Sequence, residues 1–257
     1  MIKQRELLTW TPEMVENFWD YESQFSENYF SHEHGGALVR DIQPFLGESR
    51  RVLDYGCGPG YMIEKLLKCG FEAAGLDSSV ESRQVVDSRF NGQDGFLGAF
   101  DWDELVKSEL RFDAVTVIEV IEHLYDPWLD ELLERLRAVV RPSGVLIITT
   151  PNEEDLAKNY ILSPDTNRLF HRWQHVRSWS KSTLEHYLNQ RGFSMVSCYA
   201  TNFKASFHTD AKNKKRADAW SLYKKMKYRV KGRKKRPHLI AVARPRSGAP
   251  SAGVSAR

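Results

Sequence analysis

The 257-residue sequence holds three cysteines, no apolar run long enough to cross a bilayer, and no internal repeat. Each shortage excludes something. Cys57, Cys69 and Cys198 match neither a disulfide framework nor a Cys-x-x-Cys zinc site, which fits a reducing compartment and makes them small core residues. The N-terminal stretch lacks the continuous apolar segment of a secretory leader, so a cytoplasmic protein is expected, soluble or peripheral at the inner membrane face. Net charge is small too, at +3. The average hides an uneven distribution: residues 204–236 hold fourteen Lys or Arg against two Asp, a local +12, which leaves −9 for the rest. The length suits one sizeable α/β domain with additions and is too short for two full domains.

What is present centres on Arg51 to Tyr61, R-V-L-D-Y-G-C-G-P-G-Y. Val52 and Leu53 suit a strand buried on both faces, and Gly56, Gly58 and Gly60 allow a sharp turn and close backbone approach to a ligand before a helix begins near Tyr61. A second apolar run ends in Asp77, where a doubly wound sheet places its hydrogen bond to ribose hydroxyls. The loop is G-x-G-x-G rather than the pyrophosphate-binding G-x-G-x-x-G, and Asp54 precedes it. Asp54 would repel a pyrophosphate but suit the cationic amino-acid end of S-adenosyl-L-methionine. The stretch therefore resembles motif I of the class I S-adenosylmethionine-dependent methyltransferases.

Strand and helix signals alternate downstream, which predicts a parallel sheet. Strands are predicted at 72–76, 95–100, 113–118, 145–150, 193–199 and 237–244. Helices are predicted at 61–68, from Ser78 to Ser88 with Glu81 in a capping box, from a second box at Asp101 and Glu104, at 128–139, and at 181–190 after Ser180. Before the first strand, Thr11 caps a helix with Pro12 at its first position, and another helix is predicted from Gly36 to Ile42, ahead of Pro44. Tyr21, Phe25, Tyr29 and Phe30 recur at helical steps and read as a core-facing stripe, or, by the resemblance, as a cover over the cofactor.

After the fourth strand comes Glu119-Val-Ile-Glu122-His123. Coiled into a helical turn, the two carboxylates and the imidazole would share one face at the carboxyl end of the sheet, an oxygen-rich set suited to Mg²⁺ or Mn²⁺. The segment is similar to one in the ubiquinone-biosynthesis O-methyltransferases and equally to the metal segment of the small-RNA 3′-terminal ribose methyltransferases. The second likeness implies a further metal histidine, His175, from the H-x-x-x-W spacing of His175 to Trp179. Two readings stay open. Either Glu119, Glu122, His123 and His175 hold a cation, or Glu119 meets the methionine end of the cofactor and His123 lines the acceptor pocket, taking a proton as a general base. Residues 169–176, dense in His, Arg and Trp, form a long loop of the kind that carries substrate contacts.

The resemblance spans about 36–244 and implies a seven-stranded, mostly parallel Rossmann-like sheet with helices on both faces, its last two strands forming an antiparallel hairpin. Residues 1–46 would be a helical cover, 47–244 the methyltransferase domain with 204–236 inserted between strands six and seven, and 245–257 a disordered tail. The cofactor would be held by Asp54, Gly56, Gly58, Gly60, Asp77, Ser78, Phe100, Asp101 and Glu119. O-methylation of a small-molecule or lipid-linked acceptor is the first expectation; RNA ribose 2′-O-methylation and cofactor binding without turnover are the alternatives. In 204–236, Trp220, Tyr223, Met226 and Val230 describe a helix with an apolar stripe and cationic border, suited to an anionic membrane before RNA.

Overall fold

The computed structural model describes residues 5–25, 28–203 and 236–246. The proposed membrane- or RNA-facing segment therefore lies outside the described residues except for Arg236, as does the tail from 247 onward. In chain order the elements are α1 (Pro12–Glu22), α2 (Phe30–Leu46), β1 (Arg51–Tyr55), α3 (Tyr61–Lys68), β2 (Glu72–Leu76), α4 (Val80–Phe90), β3 (Phe96–Phe100) and α5 (Trp102–Lys107). They continue with β4 (Phe112–Ile118), α6 (Asp126–Val139), β5 (Val140–Pro151), β6 (Tyr160–Leu162), β7 (Leu169–His171), α7 (Lys181–Gln190), β8 (Phe193–Thr201) and β9 (His238–Pro245).

Seven strands form one sheet in the order β3-β2-β1-β4-β5-β9-β8. The first five are parallel, and β9 runs antiparallel to both β5 and β8, so the mixed α/β sheet and its edge hairpin are as expected. Successive residues of a strand face opposite sides, and both sides are buried here. Leu53, Val115, Leu146 and Ile148 point into a core closed by α5, α6 and α7, while Val52, Ala114 and Ile147 point into a second core closed by α2, α3 and α4. Each leucine-sized side chain so buried contributes roughly 1.5–3 kcal/mol. That two-sided burial explains why the strands read as continuous apolar runs.

Several expectations need correction, the first being that Cys69 is exposed while only Cys57 and Cys198 are core residues. Helix α2 starts six residues before Gly36 and continues through Pro44, because its buried face, Leu38, Val39, Ile42 and Leu46, packs on α3 and the sheet. Ser79, not Ser78, caps α4, its hydroxyl accepting the Ser82 N–H. The boxes predicted at Asp101 and Ser180 are present, the second closed by Thr183. The aromatic stripe does not exist as one face: Tyr21 lies in α1, which buries no residue, whereas Phe30 opens α2. The hairpin β6–β7 was not foreseen. It pairs Tyr160 with His171, and the N-terminal segment joins it through hydrogen bonds from Leu8 N–H to Leu169 O (2.8 Å) and from Leu169 N–H to Glu6 O (2.9 Å).

Candidate active site

The parallel strands end at one edge, where open α/β sheets take their ligands. After β1 the glycine loop folds over β2, with the N–H groups of Gly56 and Cys57 bonded to the Leu76 carbonyl at 2.8 and 3.1 Å. Gly56, Gly58 and Gly60 all have positive φ, at 71°, 49° and 81°. A β-carbon at Gly58 would lie 2.6 Å from the Tyr29 ring, and one at Gly56 would lie 2.8 Å from Val120 Cγ2. The loop is thus held between the N-terminal cover and the segment that follows β4.

Asp77 closes this half. Its Oδ2 accepts the Gly58 N–H at 2.8 Å and its Oδ1 the Ser79 N–H at 3.0 Å. Burial raises its pKa, against the pull of those two bonds and of Arg83. Asp54 is buried deeper, and burial pushes its carboxyl up to about 7 despite the hydrogen bond from Thr116 Oγ1 (2.8 Å), with Asp77 adding to the rise. A nearby cation would therefore gain from its ionisation. The Phe100 carbonyl accepts the Asp77 N–H at 3.1 Å, which puts the end of β3 beside the site. Ser78 offers its carbonyl to Arg83 (2.9 Å). The carboxylate of Asp101 is already engaged, Oδ1 capping α5 through the Glu104 N–H and Oδ2 lying 3.8 Å from Arg83.

The segment after β4 departs from the expected helical face. Glu119 sits at φ 51°, Val120 is non-helical, and only Ile121–His123 coils, as one 3-10 turn. Glu119 consequently turns toward β9, its Oε2 3.7 Å from His238 Nδ1, and does not join Glu122 and His123. Glu122 is buried; its Oε2 accepts a hydrogen bond from Thr150 Oγ1 (3.0 Å), while Oε1 has no partner. Burial and then Glu119 raise its pKa well above the carboxylate range. His123 lies under the edge of the Trp19 ring, centroids 4.8 Å apart. Burial, then His175, pushes its pKa down to about 3, which leaves it neutral and weakly basic.

His175 does reach His123, with ring centroids 4.9 Å apart. It is brought there by the Val176 N–H on the Glu122 carbonyl (2.9 Å) and by Gln174, which bonds the His123 carbonyl through Nε2 (3.0 Å) and accepts from Trp19 Nε1 (3.2 Å). Glu122, His123 and His175 each offer a donor atom within 4.8 Å of the others, and Glu154, His171 and His175 form a second such group. Sequence reading named Tyr29 only within a cover and His171 and Gln174 only within 169–176, and it missed Trp19, Asp20 and Glu154. The density of His and Trp across 169–176 was the one available signal for His171 and Gln174.

Two further features mark this edge among the described residues. Asp20 Oδ1, Glu119 Oε1, Glu122 Oε1, His123 Nδ1, His171 Nε2 and His238 Nδ1 are buried without a hydrogen-bond partner. Such groups are rare in native structures, and their concentration here makes this edge rich in free hydrogen-bonding capacity. Glu119, Glu153 and Gln174 also adopt left-handed backbone, at φ 51°, 50° and 59°, a conformation worth of order 1–3 kcal/mol of strain.

Comparison with known proteins agrees with this geometry. The chain is 30% identical over 175 residues to a protein named ubiquinone biosynthesis O-methyltransferase from Azorhizobium caulinodans, an alignment covering 63% of this chain and 65% of that protein. It thus spans just under two thirds of that relative. Among solved structures it resembles the 1,6-didemethyltoxoflavin-N1-methyltransferase of Burkholderia thailandensis, with TM-score 0.63 and 16% identity over 96% of this chain and 98% of that one. An S-adenosylmethionine-dependent methyltransferase from Archaeoglobus fulgidus gives TM-score 0.55 and 21% identity over 88% and 99%. No described helix is long and apolar enough to cross a membrane. A family model described as a methyltransferase domain matches residues 29–198, more than half of the sequence, and the chain belongs to that family.

Proposed function

We propose that this protein transfers a methyl group from S-adenosyl-L-methionine to a hydroxyl of a small-molecule acceptor. The observation that carries the reading is the contact of Gly56 with Val120, which sets the glycine loop directly against the turn bearing Glu122 and His123. Gly56, Gly58 and Gly60 would take the cofactor's backbone approach, and Asp77 its ribose hydroxyls. Asp54, with the unpartnered oxygens of Glu119 and Asp20, would meet its ammonium group. When bound, the cofactor supplies a methyl on a positively charged sulfur that needs no further activation. The protein's own part is to align the acceptor, exclude water and receive the acceptor's proton. The relatives named as O-methyltransferases favour an oxygen acceptor.

Mg²⁺ or Mn²⁺ would call for a shell of oxygens. Glu119 is turned to His238, one Glu122 oxygen is bound by Thr150, and the two converging groups, which share His175, bring three imidazoles to two carboxylates. This donor set does not fit such an ion, so the proton is assigned to side chains.

The test is calorimetry of cofactor binding followed by a screen with labelled cofactor against small-molecule extracts, lipid extracts and total RNA. Labelling confined to RNA would replace the small-molecule reading with ribose methylation, and labelling confined to lipids would favour a lipid-linked acceptor with membrane contact through 204–236. Tight binding with no labelled product in any pool would leave a cofactor-binding protein without turnover.

A further inference from the structure

We propose that His175, oriented by Glu154, is the general base of the acceptor site, a role that rests on the methyl-transfer reading above. The hydrogen bonds of each ring fix which of its nitrogens carries a proton. The backbone N–H groups of Trp173 and His175 both point at His171 Nδ1, each at 3.3 Å, so that nitrogen must present a lone pair and the neutral ring carries its proton on Nε2. That Nε2 lies 3.2 Å from Glu154 Oε1, off the line of a good hydrogen bond. The same carboxylate holds His175 from its other oxygen, Oε2 to Nδ1 at 2.5 Å, and accepts from Asn159 Nδ2 at 3.1 Å. Burial would raise the Glu154 carboxyl, but the His175 bond and the close His171 ring outweigh it and hold the group far below the ordinary carboxylate range. An ionised Glu154 facing Nδ1 fixes the Nδ1–H tautomer of His175 and leaves the lone pair on Nε2.

With Nδ1 on Glu154, Nε2 is the nitrogen left to meet an acceptor, and the side chain keeps 10% of its surface exposed. The groups that face His175 are Glu154 from the loop after β5, His171 stacked on it at 4.4 Å, and His123 with Glu122 from the 3-10 turn. Of these only Glu154 is held as an anion. The contrast with His123 is one of surroundings: its Nε2 lies 4.0 Å from Glu122 Oε1, beyond hydrogen-bond reach, and its Nδ1 has no hydrogen-bond partner. His171 is excluded as the base because its acceptor nitrogen already faces two backbone N–H groups. In the step proposed, the acceptor oxygen bonds to the methyl carbon while the S–CH₃ electron pair stays on sulfur, leaving a neutral thioether. The acceptor's O–H bond breaks, its proton goes to His175 Nε2, and the resulting imidazolium is stabilised by Glu154 before the proton passes to solvent. Glu154 is thus a positioning residue and His175 the catalytic one.

The test uses the full chain with ¹⁵N-labelled histidine, comparing wild type with Glu154→Gln and His175→Gln. Long-range ¹H–¹⁵N spectra, assigned by the missing signal in His175→Gln, should show His175 as the Nδ1–H tautomer. In Glu154→Gln, which removes the fixed anion from Nδ1, that tautomer preference should weaken and Nε2–H signal should appear. With the acceptor found by the screen, Glu154→Gln and His175→Gln should lower kcat by on the order of 10²-fold, the usual worth of a positioned base. KM and cofactor affinity should stay near wild type. The opposite tautomer, a tautomer ratio unchanged in Glu154→Gln, or turnover abolished by a chelator would overturn the proposal, the last by making His175 a metal ligand. Wild-type protein that fails to bind cofactor would instead sink the methyl-transfer reading, because the spectra report on the dyad without turnover.

Discussion

On the cofactor side of the sheet edge the site is backbone, whereas on the acceptor side it is side chains gathered from distant parts of the chain. Gly56, Gly58, Gly60 and Asp77 fall within 22 residues, and Asp77 bonds an N–H only 19 positions away. On the other side Trp19 bonds Gln174 across 155 positions, Gln174 bonds the His123 carbonyl across 51, and His175 bonds Glu154 across 21. A site made of local turns needs glycine and one acid at fixed spacing. A site made of converging side chains needs the whole fold in place, and three strained residues, before its groups meet.

If that division is right, the largest effect comes from breaking the backbone side. Gly58→Val puts a branched side chain at φ 49° and into the Tyr29 ring, so cofactor affinity measured by calorimetry should fall more than 100-fold, a size on the order of 3 kcal/mol. Asp77→Ala should cost about 1.5–3 kcal/mol in the same measurement, the worth of hydrogen bonds to a charged group. Trp19→Ala sharpens the comparison from the other side. Because α1 buries no residue the fold should survive, cofactor affinity should stay unchanged, and the acceptor KM should rise on the order of tenfold. An equal loss of cofactor affinity in Trp19→Ala would erase the distinction between the halves.

The smallest effect is on stability in acid. His123 titrates near 3 in the fold and near 6.5 when unfolded, so below about 6.5 the unfolded chain binds the extra proton. Its contribution to stability is therefore complete above about 6.5 and is lost as pH falls toward 3. Urea melts at pH 7 and pH 5 should show a smaller loss for His123→Gln than for wild type, by up to about 1.4 kcal/mol per pH unit. An identical loss would mean that His123 is solvated rather than buried.

Legibility in the sequence followed the same division. The sheet was readable because strands buried on both faces are continuous apolar runs, and the glycine loop because positive φ at close quarters selects glycine. The helical face assigned to Glu119, Glu122 and His123 failed because nothing in those five residues announces that Glu119 adopts a left-handed conformation; the Thr149 carbonyl and hydroxyl, thirty residues away, hold its N–H there at 3.1 and 3.3 Å. Helix α2 outran Pro44 because burial of Leu46 outweighs one missing hydrogen bond near its last turn. Glu154 gave no signal at all, since its role depends on a short hairpin whose strands are only three residues each.

That hairpin also settles how the acceptor side can open. The segment ahead of α1 adds itself to β7 through Leu8 and Leu169, while α1 carries Trp19 onto His123 and β7 carries His171 onto His175. Lifting α1 alone would strand two backbone hydrogen bonds, and moving the hairpin alone would break the same two. Cover and hairpin are consequently tied into a single flap, and the amides of Leu8 and Leu169 should exchange with solvent together. An acceptor too bulky for the closed flap would have to unzip both, and with them the stacked imidazoles that keep Glu154 in register.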